Sequence, residues 1–211
     1  MTDAADRNAA RIFDAHGSRL IELIEEAKRI DQNPLIGQKN KRHHLTRVAT
    51  EFSEFIVPLT ACKAGCSHCC YMATAVSQEE ADAIAAHTGL TPAKVAFDIV
   101  AFHENKGWQD KYRGVPCTFL SPEGRCTIYE VRPMACRLHH SLEDSPDSCK
   151  TDSVQEVGVF DVFSIHHAYL NATSMMAEGG SLGDIRQFFP ASVVTNKEIL
   201  KCTPDQTDSW P

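Results

Sequence analysis

Eight of the chain's nine cysteines lie between Cys62 and Cys149, and that crowding limits what the chain can fold into more than any other feature. A disulfide-built miniprotein carries above about 8% cysteine in a short secreted chain, and nine in 211 residues fall well below that. The N-terminus, Met1-Thr2-Asp3-Ala4-Ala5-Asp6, is acidic and lacks the apolar stretch of a cleaved signal peptide. We therefore expect a cytoplasmic protein, where thiols stay reduced and clustered cysteines mean metal.

The remaining composition narrows the partners. Twenty-one basic against 28 acidic residues leave a net charge of -7, which argues against a nucleic-acid binder that must neutralise phosphates. No run approaches the ~18 apolar residues of a spanning helix, so no membrane partner is expected. The acidity is concentrated at the end: residues 151–211 hold three basic and eight acidic groups. No repeat or low-complexity linker divides the chain.

Outside the cysteine region the apolar pattern is helical. Ala9, Ile12, Phe13, Leu20, Leu23, Ile24, Ala27 and Ile30 recur at three- and four-residue steps, weakened at Gly17 and ended by Asn33-Pro34. Leu45, Val48, Ala49, Phe52, Phe55 and Ile56 form a second helix face, stopped near Pro58. Ser77-Gln78-Glu79-Glu80 reads as a capping box whose helix ends around Gly89. Thr91-Pro92 reads as the start of a helix carrying Val95, Ile99, Phe102 and Trp108. Val162, Ile165, Tyr169 and Met176 indicate another, closed by Gly179-Gly180. Ser181 is expected to cap a short helix through Ile185, Phe188 and Phe189. The predicted fold is mostly α: a helical domain with an irregular cysteine-rich metal-binding loop region. We read residues 1–58 as N-terminal helices, 59–150 as the cysteine-cluster metal-binding domain, and 151–211 as a C-terminal helical extension packed on the same domain.

The first cluster is Cys62-Lys63-Ala64-Gly65-Cys66-Ser67-His68-Cys69-Cys70, a C-x3-C-x2-C-C run. Such spacing lets one short turn aim several sulfurs at a point, with Gly65 free to take a left-handed conformation before Cys66. Cys69 and Cys70 are adjacent, so their side chains diverge; one of them ligates a second metal, bridges two, or packs inward. The second cluster, Cys117, Cys126 and Cys136, is spaced C-x8-C-x9-C, with Cys149 beyond a polar loop. Glycine or proline beside these thiols suits loops folded around a centre. The clusters are expected to converge although Cys70 and Cys117 lie 47 positions apart.

The Cys62–Cys70 run, Pro116-Cys117-Thr118-Phe119-Leu120, Gly124-Arg125-Cys126-Thr127-Ile128-Tyr129 and Arg132-Pro133-Met134-Ala135-Cys136-Arg137 together resemble the CxxCxxCC family, also called YkgJ-type cysteine cluster proteins. The resemblance covers about residues 60–150, with the phrases in order. It implies eight cysteines chelating iron or zinc: Cys62, Cys66, Cys69, Cys70, Cys117, Cys126, Cys136 and, by a looser match, Cys149. A related domain occurs in longer flagellin lysine methylases, so a methyl-transfer accessory role rests on that analogy alone.

Ordinary readings compete at each position. Free cysteines can pack as small hydrophobes, but core thiols do not concentrate in loops. A catalytic cysteine needs one distinguished thiol beside a histidine, and none stands out. Cys202 lies in the acidic tail without a companion. His68, His139 and His140 neighbour the clusters and could ligate or tune a metal, yet polar loop histidines are the simpler reading. Arg132 and Arg137 either offset thiolate charge or make local structural pairs. The Lys39–His44 stretch reads as a solvated helix start, and Met175-Met176 as core filler.

Two functions follow. Either the cysteines hold an iron–sulfur cluster with a redox role and an unknown protein or redox partner, or they hold a zinc ion in a structural, partner-binding module without catalysis. Eight thiols can supply two four-thiolate sites of either kind, and sulfur ligands alone do not separate the metals. The chain lacks the ferredoxin C-x2-C-x2-C-x3-C-P run, a GxGxxG and a phosphate-binding Walker loop, which counts against an autonomous oxidoreductase.

Overall fold

The computed structural model describes residues 3–62, 65–95, 111–150, 163–173 and 181–193. Six α-helices and one two-stranded sheet lie among them, with the described cysteines other than Cys136 in loops and short turns, so the mostly helical fold expected from the periodicity is what forms. The chain divides into two units, each made of two chain segments: residues 1–63 with 134–173, and residues 64–133 with 174–211.

The first unit is helical. α1 (Asp3–Gln32) and α2 (Gln38–Ile56) are joined by a turn in which Asn33 Oδ1 accepts the Leu35 amide at 2.9 Å. α1 is about 45 Å long at the α-helical rise. Its buried stripe is Ala5, Ile12, Leu20, Leu23, Ala27 and Ile30, and α2 contributes Leu45, Val48, Ala49, Phe52 and Ile56. The short α4 (Met134–Leu138) and α5 (Phe163–Asn171) close this core with Met134, Leu138, Leu142, Ile165, Ala168, Tyr169 and Ala172. Gly17 does not break α1: the Phe13 ring lies over it, where a Cβ would sit 3.0 Å from the ring.

Polar groups tie the helix ends. Lys41 donates to the Asp31 carbonyl at the end of α1, and Arg42 donates to the Ala172 carbonyl at 2.7 Å. Cations on the terminal carbonyls of helices are favourable electrostatically. Two charges of the basic Lys39–His44 stretch are therefore spent on structure.

The second unit is built on a small sheet. β1 (Ala75–Ser77) pairs antiparallel with β2 (Leu182–Asp184), Ala75 opposite Asp184. β1 leads directly into α3 (Gln78–Thr88) through the expected capping box of Ser77 and Glu80, and Gly89 ends α3 at φ 75°. β2 leads into α6 (Ile185–Phe188), capped by Asp184 with Gln187 reaching back. Val76, Ala81, Ile84, Leu90, Phe119, Ile128, Ile185, Phe188 and Phe189 make the core, and the Phe119 and Phe189 rings meet edge-on at 5.2 Å.

Three helix expectations are corrected. Ser181 is not a cap: Leu182–Asp184 are drawn into the strand facing β1, so the helix starts at Ile185 on the Asp184 cap. Thr91–Val95 are irregular, because the Ala93 amide donates to the Phe188 carbonyl at 2.7 Å and Ser181 Oγ donates to the Val95 carbonyl. The expected positions Ile99, Phe102 and Trp108 lie outside the described residues. α5 ends at Asn171 in tight turns, Ala172 to Tyr169 and Thr173 to Leu170, with Arg42 on its terminal carbonyl. Met176 and Gly179-Gly180 also lie outside the described residues.

Candidate metal centre

The second unit carries Cys66, Cys69, Cys70, Cys117 and Cys126. Gly65 takes φ 83°, the left-handed turn its position before Cys66 suggested. A 3-10 turn, His68–Tyr71, follows, with the Cys70 amide on the Ser67 carbonyl at 2.9 Å and the Met72 amide on the Cys69 carbonyl at 3.1 Å. In this tight winding the two adjacent thiols shift one another's ionisation in opposite directions.

The second arm is a narrow loop. Leu120 and Cys126 form an antiparallel bridge across a turn at Ser121–Gly124, with Gly124 at φ 77°. The Phe119 carbonyl accepts both the Thr127 amide (2.9 Å) and the Thr127 hydroxyl (3.0 Å). Cys117 and Cys126 thus stand on opposite legs of one loop. Its Cys117 amide donates to the Cys70 carbonyl at 2.8 Å, and the Gly114 amide to the Tyr71 carbonyl at 2.8 Å. The two cysteine arms of this unit therefore meet, despite their separation in sequence.

What holds them together comes from the C-terminal segment. Arg186 is buried and forms a two-point ion pair with buried Asp184, at 2.9 and 3.1 Å. Its other donors reach the Pro116 carbonyl (3.1 Å), Val115 (2.7 Å), Cys70 (3.0 Å) and Met72 (3.2 Å). Asp184 accepts the Thr74 amide at 2.7 Å in addition. Breaking such a pair leaves a buried charge alone and costs about 3–5 kcal/mol. The sequence reading missed this group. Its signals were the Asp184-x-x-Gln187 capping pattern and a lone arginine in an acidic stretch.

The electrostatics follow from the geometry. The hydrogen bond with Cys70 and the positive charge of Arg132 pull the Cys69 thiol down to about 7 against the opposing effect of burial. Cys70 moves strongly upward, because its hydrogen bond with Cys69, its burial, and the Cys69, Cys117 and Cys126 thiols all oppose its ionisation. Burial pushes Cys117 up to about 12, aided by Cys126 and opposed in part by Arg186. The thiols act on one another, so their joint ionisation is opposed and a bound cation would relieve that opposition. Arg132 lies 3.8 Å over the Tyr129 ring, a local contact, and its charge also favours the Cys69 thiolate. Arg137 reaches Thr50 Oγ1 at 3.4 Å on α2, a structural contact.

The first unit carries Cys62, Cys136 and Cys149. The Cys62 amide donates to Thr60 Oγ1 at 3.3 Å, Cys136 lies within α4, and Cys149 ends a 3-10 turn, Pro146–Cys149, capped by Ser145. Three residues after Cys136, His139 has a buried Nε2 without a hydrogen-bond partner among the described residues, and burial lowers its pKa, which favours the neutral imidazole a ligand needs. His140 is instead consumed by structure: its Nε2 lies 3.0 Å from Ser53 Oγ, which also contacts the Ala49 and Arg137 carbonyls. His68 sits on the turn between Cys66 and Cys69.

The donors fit a thiophilic metal in chemistry: none of the eight described cysteines is in a disulfide, and the Cys69, Cys117 and Cys126 thiols all oppose ionisation of Cys70. Among the described residues, no three Cys, His, Asp or Glu side chains already surround one point as ligands. Within the second unit the backbone joins the two cysteine arms, and no ligand set is closed among the described residues.

Residues 61–157 match the model of the CxxCxxCC family, described as "Putative zinc- or iron-chelating domain". No curated protein and no solved structure matches the chain. No helix among the described residues is long and apolar enough to cross a membrane.

Proposed function

Proceeding from the match of residues 61–157 to a zinc- or iron-chelating family, we propose that this chain is a cytoplasmic metal-binding protein whose clustered cysteines are the ligands. The proposed set is Cys62, Cys66, Cys69, Cys70, Cys117, Cys126, Cys136 and Cys149. The observation that carries the reading is the meeting of two cysteine arms, with the Cys117 amide on the Cys70 carbonyl at 2.8 Å and Arg186 binding carbonyls of both. Reduced, half-buried thiols that oppose one another's ionisation are costly unless a cation resolves them. Four thiolates around a divalent ion carry a net charge of about -2, which the two arginines would offset.

The proposed metal is zinc or an iron–sulfur centre. Bound zinc supplies a cross-link between loops, while an iron–sulfur centre supplies an electron-transfer couple for a partner. The chain's own contribution is the same in both cases: Arg132 favours the Cys69 thiolate, Arg186 holds the carbonyls behind Cys70 and Cys117, and the Phe119 core keeps the second arm folded. A structural, partner-binding role draws support from exposed Met72, Val115 and Tyr129, which lie along the two cysteine arms and the turn that follows them.

Anaerobic purification followed by metal analysis and an absorption spectrum tests the reading. Iron with labile sulfide and visible absorption selects the redox centre, and a colourless protein with stoichiometric zinc selects the structural role. A reduced, folded chain that retains neither metal and binds neither on reconstitution refutes chelation.

A further inference from the structure

The family match ends at residue 157, yet the group that joins the two cysteine arms lies beyond it. Arg186 spends its guanidinium on Asp184 and on the carbonyls of Cys70, Met72, Val115 and Pro116. Two of those carbonyls belong to the first arm and two to the second. Asp184 fixes the arginine from behind through both oxygens, and its own position is set by β2 and by the Thr74 amide. Tyr112 flanks the guanidinium at 5.6 Å. A planar fork with five N–H donors reaches these six acceptors, one Nη2 hydrogen being shared between two of its three carbonyls, which the compact lysine ammonium cannot do.

We propose that Arg186, held by Asp184, is a positioning residue of the cysteine centre: it sets the spacing between the Cys69-Cys70 turn and the Cys117 strand, and with it the affinity for metal. This inference rests on the chelation reading and extends the site beyond the cysteine-bearing segment. Groups that orient ligands from behind typically change metal affinity by about 10–100-fold when removed.

The full-length protein with Arg186→Gln, Arg186→Lys or Asp184→Asn would be compared with the unsubstituted chain by chelator competition for zinc. The thiolate-to-cobalt charge-transfer spectrum would be recorded in parallel on cobalt-loaded protein. Arg186→Gln is expected to bind zinc about 10–100-fold more weakly and to alter the cobalt spectrum, with far-ultraviolet circular dichroism retained. Arg186→Lys is expected to recover only part of the loss. Unchanged affinity and spectrum in a folded Arg186→Gln protein overturn the proposal. If that variant does not fold, Arg186→Lys decides: parent affinity and spectrum in it overturn the proposal, and weakened zinc with a changed spectrum supports it.

Failure of the parent chain to bind zinc or cobalt would strike the chelation reading alone. Arg186 would then be judged by hydrogen exchange at the Cys117 amide. Protection equal to the parent's in Arg186→Gln overturns the spacing role, and faster exchange confined to the two arms supports it.

Discussion

Replacing Phe119 by alanine tests whether the second cysteine arm is held by the aromatic core. Phe119 is 2% exposed, packs edge-on against Phe189 at 5.2 Å, and lies two residues after Cys117. Truncating a buried phenylalanine costs about 3–5 kcal/mol, the spread reflecting how far the cavity collapses. Against the 5–15 kcal/mol typical of a whole domain, that is a large fraction. The edge-on pair should add coupling of about 0.5–1.5 kcal/mol, so Phe119→Ala and Phe189→Ala together should cost less than their sum. Urea unfolding of both single variants and the double variant measures this. Metal must be held constant, since a ligand at a hundred times its dissociation constant adds about 2.7 kcal/mol by itself. The apo series, in chelator and reductant, is the cleaner comparison. A Phe119→Ala cost below about 1 kcal/mol, far under the buried-phenylalanine range, would refute the reasoning.

Other perturbations address the thiols. Chelation should speed hydrogen exchange in residues 114–149 and in Cys62–Cys70 before α1 and α2, and unchanged exchange in both segments after complete metal removal would count against metal as their fastener. Under reducing conditions Cys126→Ser should lose bound metal while Cys202→Ser retains it; equal losses would show that the ligand set is misplaced. In apo protein, alkylation should titrate at Cys69 near 7, well before Cys117 near 12, and the reverse order would contradict the packing around them. The depressed Cys69 pKa stabilises the apo fold fully above the unfolded value near 9, and that contribution disappears as pH falls through about 7. The raised Cys117 pKa acts oppositely: its contribution is complete below pH 9 and is lost as pH rises toward about 12.

The long helices were readable because their burial is periodic. Ile12, Leu20, Leu23 and Ile30 in α1, and Leu45, Val48 and Phe52 in α2, face the core as their spacing indicates. The Ser77 cap and the Gly89 stop were readable because both act through adjacent residues. Leu182–Asp184 was misread for the opposite reason. Three residues carry no period, and their strand exists only because β1 lies opposite. The role of Arg186 was missed for a related cause, since every carbonyl it binds comes from a distant part of the chain. The cysteine phrases named candidate ligands but not their inequality. That Cys69 is eased toward thiolate while Cys70 resists ionisation depends on a 3-10 turn and on Arg132, which spacing alone does not reveal.

The pairing of β1 with β2 has a consequence for biosynthesis. Ala75 finds its partner only when Asp184 has been made, so the first cysteine arm leaves the ribosome well before the strand and arginine that steady it. At about 5–20 residues per second, that interval is on the order of ten seconds. Nascent chains stalled before residue 182 should therefore show Cys69, Cys70 and Cys117 open to alkylation, and released, metal-loaded chains should not. Metal delivery to this protein would then be timed to the emergence of residues 182–186, with the exposed thiols dependent until that moment on the reducing power of their surroundings.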